Sequence, residues 1–270
     1  MQAGILAVAG IIVRIIGILY RSPLTAVIGD EGNGYYGYAY NIYANILLIS
    51  SYSIPSAISK VISSKLALGE YKDAQRMFRC AFIYVIIVGG VASAFAYIAA
   101  PFLVVSNAVS VLRIFAPTIF LSGLLGVFRG YFQAHRSMVQ TSVSQIIEQI
   151  LNASVSIGAA YIFVRMAASG ALAKGLGEAE TTTSKAIAGA SGSALGTGYG
   201  VAIALIFMVW MYVINKPYIY RKLRRDVNGG KETDRAIYKE ILLIVTPFIL
   251  STFIYNCSTA VNQTIYSRVM

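Results

Sequence analysis

The sequence predicts an all-α polytopic membrane protein: a six-helix transmembrane bundle followed by a seventh helix. Three observations carry this. Hydrophobic residues make up 57% of the 270 and charged residues only 12%, about half the ~25% charge of a typical soluble domain. The apolar residues fall in blocks about twenty or more long, which is the length that crosses a ~30 Å hydrocarbon core. The connectors between the blocks alternate in charge. Lipid obliges each block to satisfy its own backbone hydrogen bonds, so helices are expected throughout. The short alternating segments of a membrane barrel are absent.

In chain order the expected helices are about 3–28, 35–63, 79–105, 108–132, 139–166 and 187–214, with the seventh at about 241–267. The first block is too long for a signal-peptide core and carries Arg14 and Arg21 within it. The connector 28–34 holds Asp30 and Glu31 and no Lys or Arg. Connector 64–79 holds Lys65, Lys72, Arg76 and Arg79, and connector 129–138 holds Arg129 and Arg136. The turn near 106 has only Arg113 beside it, and 165–186 dilutes Arg165, Lys174 and Lys185 among small residues. Segment 215–240 is the most basic, with Lys216, Arg221, Lys222, Arg224, Arg225, Lys231, Arg235 and Lys239. By the positive-inside rule, connectors 64–79, 129–138 and 215–240 face the cytoplasm, and so does the N-terminus. The expected domains are therefore a lobe over 1–214, a basic cytoplasmic connector over 215–240, and the first helix of a second lobe over 241–270. The chain opens almost inside its first block and closes inside its last, which reads as part of a longer protein.

The net charge of +11 is explained by topology, so no nucleic-acid partner is expected. Cys80 and Cys257 belong to no CxxC or Cys/His cluster, and the single histidine, His135, sits in a short basic loop. No metal or cofactor site can be assembled from them. Neither HExxH, GxSxG nor a phosphate-binding glycine loop is present, so the chain reads as a non-enzyme. The glycines 189, 192, 196, 198 and 200 read as a close-packing surface for a neighbouring helix. The tyrosines that crowd 35–43 read as an interfacial aromatic belt.

Ionisable and polar residues at membrane depth are costly and mark candidate sites. Arg14 and Arg21 lie two helical turns apart and share a face. They form either a cationic stripe lining a wet cavity or a structural pair bonded to other helices. Helix two carries a polar stripe, Asn41, Asn45, Tyr52, Ser56, Ser59 and Ser63, with Pro55 breaking a backbone hydrogen bond inside it. Lys60, one turn beyond, is either a site residue or a snorkelling lysine. Helix five presents Gln145, Glu148, Gln149 and Asn152 on one polar face. Glu148 could pair with an arginine, take up a proton or cation, or join an interhelical hydrogen-bond cluster. Prolines 23, 55, 101, 117 and 247 fall within the apolar blocks, as in transporters with broken helices.

Several stretches together resemble a known family. Arg14-Ile-Ile-Gly-Ile-Leu-Tyr-Arg21-Ser-Pro-Leu24 is similar to the first helix of polysaccharide flippases of the stage V sporulation protein B type. So are Gly29-Asp-Glu-Gly-Asn-Gly-Tyr-Tyr-Gly37 and Ile54-Pro-Ser-Ala-Ile-Ser-Lys60 in helix two. Arg129-Gly-Tyr-Phe-Gln133 and Ser144-Gln-Ile-Ile-Glu-Gln149 are similar to the helix four to five region. This family sits in the multidrug/oligosaccharidyl-lipid/polysaccharide (MOP) superfamily, with MurJ lipid II flippases and MATE exporters. Two departures separate the chain from the MurJ pattern: Ser22 stands where an acid commonly follows the second arginine, and no arginine lies between Asn45 and Ser51.

The resemblance implies one lobe of a two-lobed transporter working by alternating access in a bacterial plasma membrane. The implied cargo is a lipid-linked anionic saccharide or peptidoglycan precursor, and the implied partners are membrane lipids and a second lobe or a homo-oligomer. Arg14, Arg21, Lys60, Asn41 and Asn45 are expected to bind the diphosphate headgroup. Gln145, Glu148, Gln149 and Asn152 are expected to gate the pathway or supply a counter-ion. A MATE-like exporter of cations or drugs and a non-transporting membrane scaffold are the alternatives.

Overall fold

A computed structural model describes residues 2–52, 54–175, 177–224, 226, 230, 233–247 and 250–251. Among them the regular structure is entirely helical. Helix α1 (Gln2–Leu19) is followed after Tyr20 by α2 (Arg21–Leu47), a π-helical turn (Leu48–Tyr52) and α3 (Ile54–Ala67). Next come α4 (Tyr71–Ile98), the short α5 (Ala100–Leu103) and a 3-10 turn (Ser106–Ala108). The long helices α6 (Val109–Ala134), α7 (Met138–Ala173) and α8 (Glu178–Arg224) follow, and then α9 over 234–247. Five stretches are long and apolar enough to span a bilayer, and Gly4–Leu19 is a shorter apolar helix. Of the expected seventh span, 252–267 lies outside the described residues, as does Cys257.

The first two expected spans meet at a single residue rather than a loop. Helical hydrogen bonding runs through 28–34 and is interrupted only at Gly29, with φ 71° and ψ 175°, a conformation that costs glycine little and other residues much. Arg21 and Tyr40 lie on opposite sides of this hinge and line the same cavity. In one straight helix they would stand about 28 Å apart, so the chain doubles back at Gly29. Asp30 and Glu31, expected in a loop, therefore begin the returning helix. Beside Tyr20 a helical hydrogen bond is missing, because Pro23 has no N–H for the carbonyl four residues earlier.

Other connectors are also shorter than the charge pattern suggests. The expected loop 165–186 is mostly helical, because alanine-rich sequence extends α7 through Ala173 and α8 begins at Glu178. Arg129, expected in a loop, is inside α6, which continues to Ala134. The basic segment from 215 is helical as far as Arg224.

A small buried cluster of Leu24, Ile28 and Ala160 joins α2 to α7, and two larger ones hold the rest of the bundle. One joins α3, α4, α6, α8 and α9 through Ile54, Ile62, Met77, Val85, Leu125, Met208 and Ile237. The other joins α2, α4, α6 and α8 around Phe115, which is fully buried. Lipid is as apolar as these side chains, so packing contacts rather than hydrophobic transfer hold membrane helices together. The glycine surface of α8 serves that purpose. A Cβ at Gly192 would stand 2.6 Å from the Ala159 carbonyl oxygen, and one at Gly200 2.5 Å from that of Glu148. The backbones of α7 and α8 thus touch along several turns, as the sequence pattern implied.

The ends of the bundle differ in charge. At one end, connectors that are remote in sequence converge. The backbone N–H of Lys72 donates to Asp226 Oδ2 at 2.6 Å, Arg76 pairs with Asp234, and Lys222 lies over the Tyr71 ring. At the other end the Glu31 carboxylate accepts from Tyr35 and Thr183, and Asn107 donates to the Tyr35 hydroxyl.

Candidate functional site

A cavity of about 880 Å³ lies between α1, α2, α3, α6 and α7, with one contribution from α8. Its walls follow from the bends just described. The hinge at Gly29 turns Tyr36, Tyr40 and Tyr43 back toward Gly17, Tyr20 and Arg21. These three tyrosines are spaced four and three residues apart, on one helical face, and they pack around Phe115. The Tyr43 and Phe115 rings stack with centroids 4.7 Å apart. Beyond the π-turn, Ser51, Pro55 and Ser56 continue the wall.

The opposite wall is polar. Helix α7 supplies Gln145, Glu148, Gln149 and Asn152, and α6 supplies Ser122, Arg129 and Gln133. Arg129 Nη2 donates to Glu148 Oε2 at 2.7 Å, and Arg129 Nε donates to Ser144 Oγ at 2.9 Å. The Ser144 hydroxyl in turn donates to the Thr141 carbonyl. This leaves Ser144 an acceptor for the guanidinium and fixes its orientation. Asn152 Oδ1 accepts from Ser156 and from Thr197 of α8, so its amide is oriented as well. Gly17 of α1 approaches the Gln149 amide closely, with 3.3 Å between a notional Cβ and Nε2.

Of the residues expected from sequence, the structure brings Arg21, Gln145, Glu148, Gln149 and Asn152 together in this cavity. Arg14, Asn41, Asn45 and Lys60 are not among its lining residues, and all four are exposed. The reason for the asparagines is a matter of phase. The inward face of α2 is the tyrosine face, and Asn41, directly after Tyr40, is turned by about 100° from it. The supposed single stripe from Asn41 to Ser63 is also cut by the π-turn at Leu48–Tyr52, whose extra residue rotates everything after it. Asn41 instead borders a small surface groove with Tyr38 and Phe102. The side chain of Tyr52 is outside the described residues. Arg14 and Arg21 stay on one helical path, because Tyr20 keeps right-handed helical dihedrals and its N–H and carbonyl bond to Ile16 and Leu24, yet only Arg21 reaches the cavity.

Tyr36, Tyr40 and Tyr43, which the sequence pattern gives to an interfacial aromatic belt, line the cavity instead, and so does Arg129, which the pattern gives to a basic loop. The signal available for Arg129 was its position within helical reach of the apolar run before it, with Gly126 and Gly130 flanking it at small-residue spacing. Those glycines abut Pro55 across the interface, and this close approach leaves Arg129 facing the cavity rather than the membrane surface.

Comparison with known proteins places this geometry. The chain matches the family described as polysaccharide biosynthesis protein over residues 2–176. It is 27% identical over 175 residues to the lipid II flippase MurJ of Bacillus subtilis (strain 168), covering 60% of this chain and 32% of that protein. It is 26% identical over 181 residues to stage V sporulation protein B of the same organism, covering 62% of this chain and 34% of that one. The chain thus spans about a third of the length of these curated relatives. Among solved structures, an outward-facing MATE family multidrug resistance transporter of the MOP superfamily shares its fold. The TM-score is 0.68 at 16% identity, over 93% of this chain and 52% of that one.

Proposed function

From the premise that this chain belongs to the polysaccharide biosynthesis protein family, we propose that it serves a membrane flippase that moves a lipid-linked anionic saccharide or peptidoglycan precursor. The observation that carries the reading is the composition of the 880 Å³ cavity. In a bundle made almost wholly of apolar helices, it gathers Arg21, Arg129, four amide side chains and several hydroxyls. Glu148 is its sole acid among the described lining residues, and that carboxylate is already occupied by Arg129.

A lipid diphosphate is a large anion, and taking it through a bilayer strips its water. Guanidinium groups replace that water with charge-assisted, often bidentate hydrogen bonds to phosphate oxygens. The amides of Gln145, Gln149 and Gln133 offer both donors and acceptors, which suits the hydroxyls of a saccharide. The tyrosine wall supplies flat apolar faces for sugar rings. The prenyl tail can stay in lipid while the headgroup passes. A cation exporter would need free carboxylates, and the paired Glu148 argues against that alternative. The convergence of connectors 64–79, 129–138 and 215–240 at one end supports a cytoplasmic position for that end and for the N-terminus, in a bacterial plasma membrane. Flipping of a fluorescent lipid-linked saccharide in proteoliposomes tests the reading: Arg21→Ala is expected to cut the rate at least tenfold, with expression unchanged. Undiminished flipping, or transport of organic cations instead, would overturn it.

A further inference from the structure

We propose that Glu148 is an internal competitor for Arg129, occupying the guanidinium until an anionic headgroup displaces it. The inference rests on the reading of the cavity as a headgroup site. Two cations line the cavity and they stand in different states. Arg129 is engaged by Glu148 at 2.7 Å. Among the described residues, Arg21 has no ion pair. A headgroup entering the cavity therefore meets one free guanidinium and one that is already taken.

The geometry makes the taken one releasable. Arg129 is held from behind by Ser144, through Nε, and this contact survives if Glu148 leaves. The guanidinium is thus kept in place and aimed at the cavity by a neutral partner, while its charged partner sits on the cavity wall. The Glu148 side chain retains 28% of its exposure and Arg129 15%, so the pair is not sealed in the packed core. Ser144 and Glu148 are one helical turn apart on α7, so a rotation of the Glu148 side chain alone opens the pair. Gln145 and Gln149, beside it in the same cavity, are neutral donors that can receive the released carboxylate. A carboxylate presents two anionic oxygens to a guanidinium much as a phosphate does, so the exchange replaces one charge-assisted bond with another. It also keeps Arg129 neutralised when the cavity is empty, which avoids an unpaired charge at membrane depth.

A protein whose binding-competent state is a fraction of the total binds its ligand more weakly by that fraction. Removing the competitor should therefore strengthen binding. The test uses the full chain in nanodiscs, with farnesyl diphosphate as probe and farnesol as the uncharged control. Glu148→Gln is expected to bind farnesyl diphosphate about five- to tenfold more tightly than the parent chain, with farnesol unaffected. A neutralised carboxylate could also act through the general field on Arg21. The double variant Arg129→Gln with Glu148→Gln separates the two, and it leaves no stranded charge. Competition predicts that the double variant binds no more tightly than Arg129→Gln alone, whereas a field effect predicts the same gain on that background, and its persistence there overturns the proposal. If the parent chain binds the probe and Glu148→Gln binds it no better, the competitor role fails while the headgroup reading stands. If neither binds the probe, both fail together.

Discussion

Gly200 of α8 lies against the backbone carbonyl of Glu148 on α7, so closely that a Cβ on the glycine would come within 2.5 Å of that oxygen. The relationship links packing to the site. The turn of α7 that carries Glu148 and Asn152 toward the cavity is pressed from behind by a glycine whose lack of a side chain sets its depth. The same notional Cβ would stand 3.2 Å from the backbone nitrogen of Asn152.

A methyl group at that point has no space without moving a helix. Gly200→Ala is expected to destabilise the bundle by about 1–3 kcal/mol, the usual cost of overpacking, seen as a lower melting temperature in detergent. It should also weaken farnesyl diphosphate binding, because α7 shifts under the Arg129–Glu148 pair. Gly158→Ala, at a position with open space around the added carbon, is the control and should leave both properties unchanged.

Arg14 of α1 and Arg21 of α2 should separate functionally. Arg21 lines the cavity and Arg14 does not. A hydrogen bond to a charged group contributes about 1.5–3 kcal/mol, so Arg21→Ala should weaken farnesyl diphosphate binding tenfold or more. Arg14→Ala should change it less than about twofold, within the range of a surface substitution. Isothermal titration of the two variants side by side decides this, and equal losses would put Arg14 in the site after all.

His135, in the turn between α6 and α7, gives the basic end a pH dependence. Its Nδ1–H donates to the Tyr131 carbonyl at 2.9 Å. Burial against α4 and α8 pushes its pKa below the ordinary 6.5, the carbonyl contact opposes this, and the Lys222 charge adds to the lowering. A base with a depressed folded-state pKa binds fewer protons folded than unfolded just below pH 6.5. Its stabilisation is therefore complete above that pH and is lost as pH falls through the folded value. Thermal unfolding between pH 7.5 and 5 should show this loss, and His135→Gln should flatten it. An unchanged profile in that variant would assign the loss to another group.

Much of this molecule was legible from sequence because the bilayer is a demanding solvent. Block lengths, charge alternation and the glycine spacing of α8 each follow from one-dimensional rules, and the helical architecture and glycine packing agree with them. Helix five was legible for the same reason: Gln145, Glu148, Gln149 and Asn152 lie on one uninterrupted helix, so periodicity alone put them on one face, and that face lines the cavity. The failures cluster where a helix is interrupted. Periodicity carries phase only as far as the helix is regular, and α2 is broken by a hinge at Gly29 and a π-turn at Leu48–Tyr52. Periodicity therefore gives Asn41 and Asn45 the face that the tyrosines hold.

The sequence by itself determined that the chain is a bundle of membrane helices with one basic end, and it singled out Arg21 and the polar face of α7. Only the tertiary structure decided which arginine partners Glu148. The answer is Arg129, from a different helix and nineteen residues away, because the close approach of α6 to Pro55 and of α8 to α7 sets both side chains on the same cavity wall. Such pairings depend on interhelical distance, which glycine contacts and helix breaks fix in three dimensions and which no repeat along a single helix encodes.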